Sequence, residues 1–78
     1  MPTLLRIGPY RFFFYSNEGK EPAHVHVAAG SKEAKFWLST GELASSYSFR
    51  PHELSELLAI VAQHKAAFQE LWNEYFPG

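Results

Sequence analysis

The chain has 78 residues, no cysteine and a net charge of −1, and 46% of its side chains are apolar and 17% aromatic. Disulfides and thiolate metal sites are excluded, as is a strongly basic tail for binding nucleic acid. The length predicts one domain, close to the smallest size that folds without staples, whose buried area must come from large aromatics; the strands and helix read below make it α+β.

Met1-Pro2-Thr3-Leu4-Leu5-Arg6 shows no basic segment followed by a long apolar stretch, and the best apolar run, Leu57 to Ala62, is too short to cross a bilayer. The chain therefore reads as unprocessed and cytoplasmic, with no membrane contact. Gly8-Pro9 separates a first strand, Leu4 to Ile7, from a second, Arg11-Phe12-Phe13-Phe14-Tyr15-Ser16. The second run is too aromatic for a surface helix and reads as a strand buried on one face and partly covered on the other. Asn17 to Pro22 is a polar loop leading into His24-Val25-His26-Val27.

In that third strand the two-residue period places both imidazoles on one face and both valines on the other. Gly30-Ser31 is a two-residue hairpin signal of the Gly-first kind, and Lys32 to Leu38 alternates as a fourth strand. Counting back from the turn pairs Ala29 with Lys32, Val27 with Ala34, His26 with Lys35, Val25 with Phe36 and His24 with Trp37. Glu42 to Ser48 adds a short fifth strand, so the sheet is antiparallel with four to five strands.

From Pro51 the period changes. Leu54, Leu57, Leu58, Val61, His64, Phe68, Leu71, Trp72 and Tyr75 form a helical stripe, with Pro51 at a favoured first position, Glu53 in the first turn and Pro77-Gly78 ending the run. A helix from Pro51 to Phe76 would be about 37 Å long. It must overhang a small sheet or break near Gln63-His64. Packed on one face, it covers Leu5, Ile7, Phe12, Phe14, Val25, Val27, Ala34, Phe36 and Leu38. Without a bulge, the other face displays Leu4, Arg6, Arg11, Phe13, Tyr15, His24, His26, Lys35 and Trp37. So many apolar and aromatic residues on a free face mark a surface for nucleic acid, another chain or a second copy, and with the overhanging helix they suggest a homodimer. Residues 1–50 carry a net +2 and residues 51–78 a net −3, a mildly basic sheet backed by an acidic helix.

Three readings of the histidine pair follow. As metal ligands, His24 and His26 need a third group, for which His52 and Glu33 are nearest, but no spacing matches an established zinc motif; neither a metal nor a cofactor is expected. As an acid-base site, Lys35 opposite His26 keeps one ring neutral as a base and His24 is the acid. Arg11 or Arg6 holds phosphate and Trp37, Tyr15 and Phe13 stack unpaired bases, the minimum for cleaving RNA through its 2′-hydroxyl. As structural groups, the rings hydrogen-bond to the loop ending Glu21-Pro22-Ala23 and stack on Trp37. His64, on the apolar stripe, reads as a core or interface residue, and His52 as solvent-exposed.

Arg11 to Ser16, Pro22-Ala23-His24-Val25-His26-Val27, Ala34-Lys35-Phe36-Trp37-Leu38 and Trp72-Asn73-Glu74-Tyr75-Phe76 together resemble the small prokaryotic proteins of domain-of-unknown-function family 4160 over nearly the whole chain. The resemblance implies a toxin component of a type II toxin–antitoxin module, partnered by a small antitoxin-like protein, with no established reaction. Arg11, Phe14, Tyr15, His24, His26, Lys35, Trp37, His64 and Trp72 stand at the family's signature positions. Two departures are Pro22-Ala23 in place of a proline pair, and Arg50 where the family tends to have a capping Ser. An Arg cannot accept from the first-turn N–H groups, so the helix start should be about 1 kcal/mol weaker unless Ser48 or Glu53 compensates. The site expected from these readings is His24, His26 and Lys35 for chemistry and Arg11, Tyr15 and Trp37 for binding. The alternative is a non-catalytic interaction module.

Overall fold

The computed structural model describes residues 3–16 and 19–77, so Asn17 and Glu18 of the loop before the histidines and the terminal Gly78 lie outside it. Five antiparallel strands, β1 Thr3–Ile7, β2 Tyr10–Phe13, β3 His24–Ala29, β4 Lys32–Trp37 and β5 Leu43–Tyr47, form a meander in chain order, followed by one helix, α1 Pro51–Tyr75. This is the α+β architecture with a C-terminal helix expected from the sequence.

Two tight turns set much of the register. Gly8-Pro9 and Gly30-Ser31 each join strands that close directly, Ile7 to Tyr10 and Ala29 to Lys32, and both glycines have positive φ, 56° and 63°. A left-handed first turn residue suits the twist of a hairpin and carries no penalty at glycine. The β3–β4 pairs are those counted back from Gly30-Ser31, from Ala29 with Lys32 to His24 with Trp37.

Two strand assignments change. β2 stops at Phe13, so Phe14, Tyr15 and Ser16 lie beyond the ladder. In β1 an irregularity between Thr3 and Leu5 breaks the alternation, and Leu4, expected on the free face, packs against the core beside Leu5 and Ile7. A bulge adds one residue to one strand, so side chains after it change face.

The helix is continuous. Its 25 residues measure about 37 Å at 1.5 Å per residue, matching the 36 Å long axis of the molecule. Leu57, Val61, Phe68 and Trp72 are its buried positions, set against Phe12, Phe14, Val25, Val27, Ala34, Phe36 and Leu38 of the sheet side, with Phe12 and Phe68 stacked at 5.6 Å. Leu58, Leu71 and Tyr75, counted in the stripe, are its partly exposed flanks. The stretch past the strands packs on Phe14, whose ring meets Trp72 at 5.2 Å and Phe76 at 6.2 Å. Phe76, held by Pro77 away from helical geometry, donates its N–H to Trp72 O at 2.8 Å and ends the helix.

At the helix start, Arg50 has extended geometry and its guanidinium, which has no acceptor, caps nothing. Glu53 compensates, accepting the Arg50 N–H at 2.9 Å and the Lys32 ammonium at 2.8 Å, so one carboxylate satisfies the cap and ties α1 to β4. These two donors hold its carboxyl below the usual range, the backbone N–H most strongly. Ser48 gives no help; it occupies a left-handed conformation, φ 68°, in the connection from β5.

Candidate functional site

On the sheet face away from the helix, the pairing generates two cross-strand rows: Arg6, Arg11, Ala28, Glu33 and Tyr47, and beside it Phe13, His26, Lys35 and Ser45. His24 and Trp37 begin a third. The aromatic residues of this face are partly covered by cations. Phe13 is buried beneath the Arg11 guanidinium, 4.3 Å from its ring centroid, and stacks on His26 at 5.6 Å. Trp37 lies under the Lys35 ammonium at 4.6 Å. Long cationic stems shield the rings and keep their charges in water.

The two histidines occupy different environments. His24 is fully buried, its ring 5.0 Å from Trp72 of the helix and 5.8 Å from Trp37. Its Nδ1 lies 2.8 Å from Pro22 O, and a carbonyl can only accept, so Nδ1 carries a hydrogen. The bond to the Glu21-Pro22-Ala23 segment is that of the structural reading, whereas the ring meets Trp37 edge-on, at 82°, instead of stacking on it. His26 is 7% exposed and meets His24 edge-on at 5.0 Å, so the buried ring is a wall against which His26 is set.

His26 faces a carboxylate rather than the cation opposite it. Its Nδ1 is 3.6 Å from Glu33 Oε1, and Tyr15, whose ring packs on His26 at 4.6 Å, donates its hydroxyl to the same oxygen at 2.9 Å. Lys35, expected to suppress the imidazolium, turns to Glu21 at 2.6 Å. The group facing Nδ1 is therefore a carboxylate, which can only accept a hydrogen.

His26, Glu33, Lys35, Ser45 and Tyr47, with Ala34 and Ser46, line an open cleft of about 200 Å³. At its far side, Arg6 and Arg11 are directly opposed on β1 and β2. Arg11 Nη1 donates to Thr3 Oγ1 at 3.4 Å, and among the described residues neither guanidinium pairs with a carboxylate. Like charges directly across a ladder destabilise it, and an anion bound between them relieves that repulsion.

The structure thus brings His26, Lys35, Tyr15 and Arg11 to one face and puts His24 behind them, with Trp37 under Lys35. Sequence reasoning weighed Glu33 only as a metal ligand and passed over Tyr47 and Ser45. Glu33 was detectable: it stands two residues before Lys35, diagonal to His26, where a long side chain reaches its neighbour. Tyr47 depends on the β4–β5 register, which no tight turn announces. Among the described residues, no three His, Asp or Glu side chains are placed to hold a metal ion, and the pair is not joined by His52, which is exposed at the helix start. His64, half-buried against Phe68 at 5.9 Å, belongs to the helix layer.

The signature residues of the face and of the helix now stand in one frame. This chain belongs to the family described as Domain of unknown function (DUF4160). The family's model matches residues 10–73, from the start of β2 to the residue after Trp72. No curated protein and no solved structure matches the chain. The DUF4160 match spans His24, His26, Glu33 and Tyr47 but not Arg6. Among the described residues of this DUF4160 chain, no helix is long and apolar enough to cross a membrane.

Proposed function

We propose that this DUF4160 protein is the toxin-like member of a two-protein module and that its open sheet face binds RNA and cleaves it by acid-base chemistry at His26. The observation that carries this reading is the His26–Glu33 pair at the cleft wall, beside the Lys35 ammonium and two guanidiniums that meet no carboxylate among the described residues. Arg11 and Arg6 hold phosphate, and Lys35 meets the charge that develops on the reacting phosphoryl group. Glu33 at Nδ1 favours the tautomer with the proton on that nitrogen, leaving Nε2 as the base; contacts of this kind tighten when substrate binds. As the 2′-oxygen attacks phosphorus, His26 takes its proton, and it returns a proton to the 5′-oxygen as that bond breaks, leaving a 2′,3′-cyclic phosphate and a 5′-hydroxyl. His24, buried behind, is a positioning residue.

The test is growth of cells expressing the chain alone beside a His26→Ala version shown to fold by circular dichroism, with cleavage of a single-stranded oligoribonucleotide in parallel. Loss of growth arrest and of cleavage in the variant is the expected result. Arrest or cleavage that survives in folded His26→Ala overturns the chemistry. His24→Ala is a poor probe, because removing a fully buried ring perturbs the fold itself.

A second reading, a non-catalytic interaction module, has its own observation. Leu4, Phe14, Leu71, Glu74 and Tyr75 line an apolar groove of about 290 Å³ where α1 passes the sheet edge. On that reading the groove takes a partner protein or a second copy, Leu71→Glu abolishes the association in sedimentation, and His26→Ala leaves it intact.

A further inference from the structure

We infer that Tyr47 is the base-stacking residue of this face and that single-stranded RNA runs across the strands, from Arg6 and Arg11 on β1 and β2 to Tyr47 on β5. The inference rests on the RNA reading above and adds to it the direction and footprint of the bound strand. Tyr47 is 68% exposed, the highest value among the large hydrophobic residues. It is directly opposite Glu33, so its ring rises on the same face as His26, at the rim of the cleft.

The other aromatics of this face are already engaged. Tyr15 is committed to Glu33 and His26, Phe13 is beneath Arg11, and Trp37 is beneath Lys35. A base can stack on them only by displacing a cation or a hydrogen bond, whereas Tyr47 offers a π-face directly to solvent. Four interstrand spacings separate β1 from β5, about 19 Å, which suits a footprint of about four nucleotides. In this arrangement the arginines hold the backbone at one end, Tyr47 holds a base at the other, and the phosphate between them lies at His26 and Lys35.

The deciding experiment is fluorescence anisotropy of labelled single-stranded RNA oligomers of increasing length, beside a ribose-phosphate oligomer without bases, with the unaltered chain, Tyr47→Phe and Tyr47→Ala. Affinity should level off near four nucleotides, Tyr47→Phe should bind as the unaltered chain does, and Tyr47→Ala should bind roughly 5- to 100-fold more weakly. The baseless oligomer should bind weakly and equally to all three. RNA binding that Tyr47→Ala leaves unchanged overturns the stacking assignment while the RNA reading stands. Failure of the unaltered chain to bind RNA overturns both. An exposed side chain such as Tyr47 contributes little to folding, so the variant reads recognition rather than stability.

Discussion

Glu33 Oε1 lies 3.6 Å from His26 Nδ1, diagonally across the β3–β4 ladder, and the same oxygen accepts the Tyr15 hydroxyl at 2.9 Å. Through it, a residue beyond the end of β2 is coupled to two neighbouring strands. Tyr15→Phe should cost about 1 kcal/mol in urea unfolding, the net worth of one hydrogen bond, and Glu33→Ala somewhat more, because it leaves the half-buried hydroxyl without its acceptor. The double variant should cost less than the sum, a coupling that a double-mutant cycle measures. Strict additivity would mean that the three groups do not act as a unit.

The helix start accounts for one part of the acid sensitivity. Glu53 has a lowered carboxyl pKa, chiefly from the Arg50 N–H and next from Lys32. A depressed folded value contributes stability that is present above the unfolded value, about 4.3, and is lost as the pH falls through the folded one. Glu53→Gln should lower the urea midpoint at neutral pH, and the two proteins should converge under acid. An equal gap at every pH would refute the linkage.

Arg50 sits in extended cap geometry without a capping side chain. Arg50→Ser would add the missing acceptor and, with Glu53 three residues on, complete a capping box. A gain of about 1 kcal/mol is expected in urea unfolding, and no gain would mean that Glu53 and water already satisfy the first turn.

Ser48 holds a left-handed backbone, φ 68°, that a side chain adopts at some expense. Ser48→Gly should raise stability by roughly 0.5–1 kcal/mol, the relief of that strain less the greater freedom of glycine in the unfolded chain. A loss of stability would show that the serine side chain outweighs the strain.

Trp72 joins the helix to Phe14, Phe76 and His24, with ring separations of 5.2, 4.3 and 5.0 Å. Trp72→Ala should cost about 3–5 kcal/mol, a large share of the stability of a chain this small. It should also free the His24 ring, whose NMR resonances would broaden or move. Unchanged His24 resonances in a folded Trp72→Ala protein would show that the helix does not hold that ring.

Local chemistry explains what was legible in the residues. A Gly-first turn and strict alternation specify the β3–β4 pairing, so the opposition of His26 to Lys35 and of His24 to Trp37 could be counted from Gly30-Ser31. The stripe from Leu54 to Trp72 likewise announced the helix, because its period is a property of the backbone alone. What only the tertiary structure decided involves groups distant in sequence or a break in alternation. Trp72 closes over His24 from 48 residues away, turning one of two alternating histidines into a buried support. The irregularity in β1 carries Leu4 to the helix side. Glu21 draws Lys35 away from His26, and the β4–β5 register raises Tyr47 beside Glu33. In β3 and β4 the sequence by itself determined which residues share a strand face, since an unbroken ladder needs only the two-residue period. Which of those residues is open to a ligand depends on long side chains from other elements, and packing alone settles that.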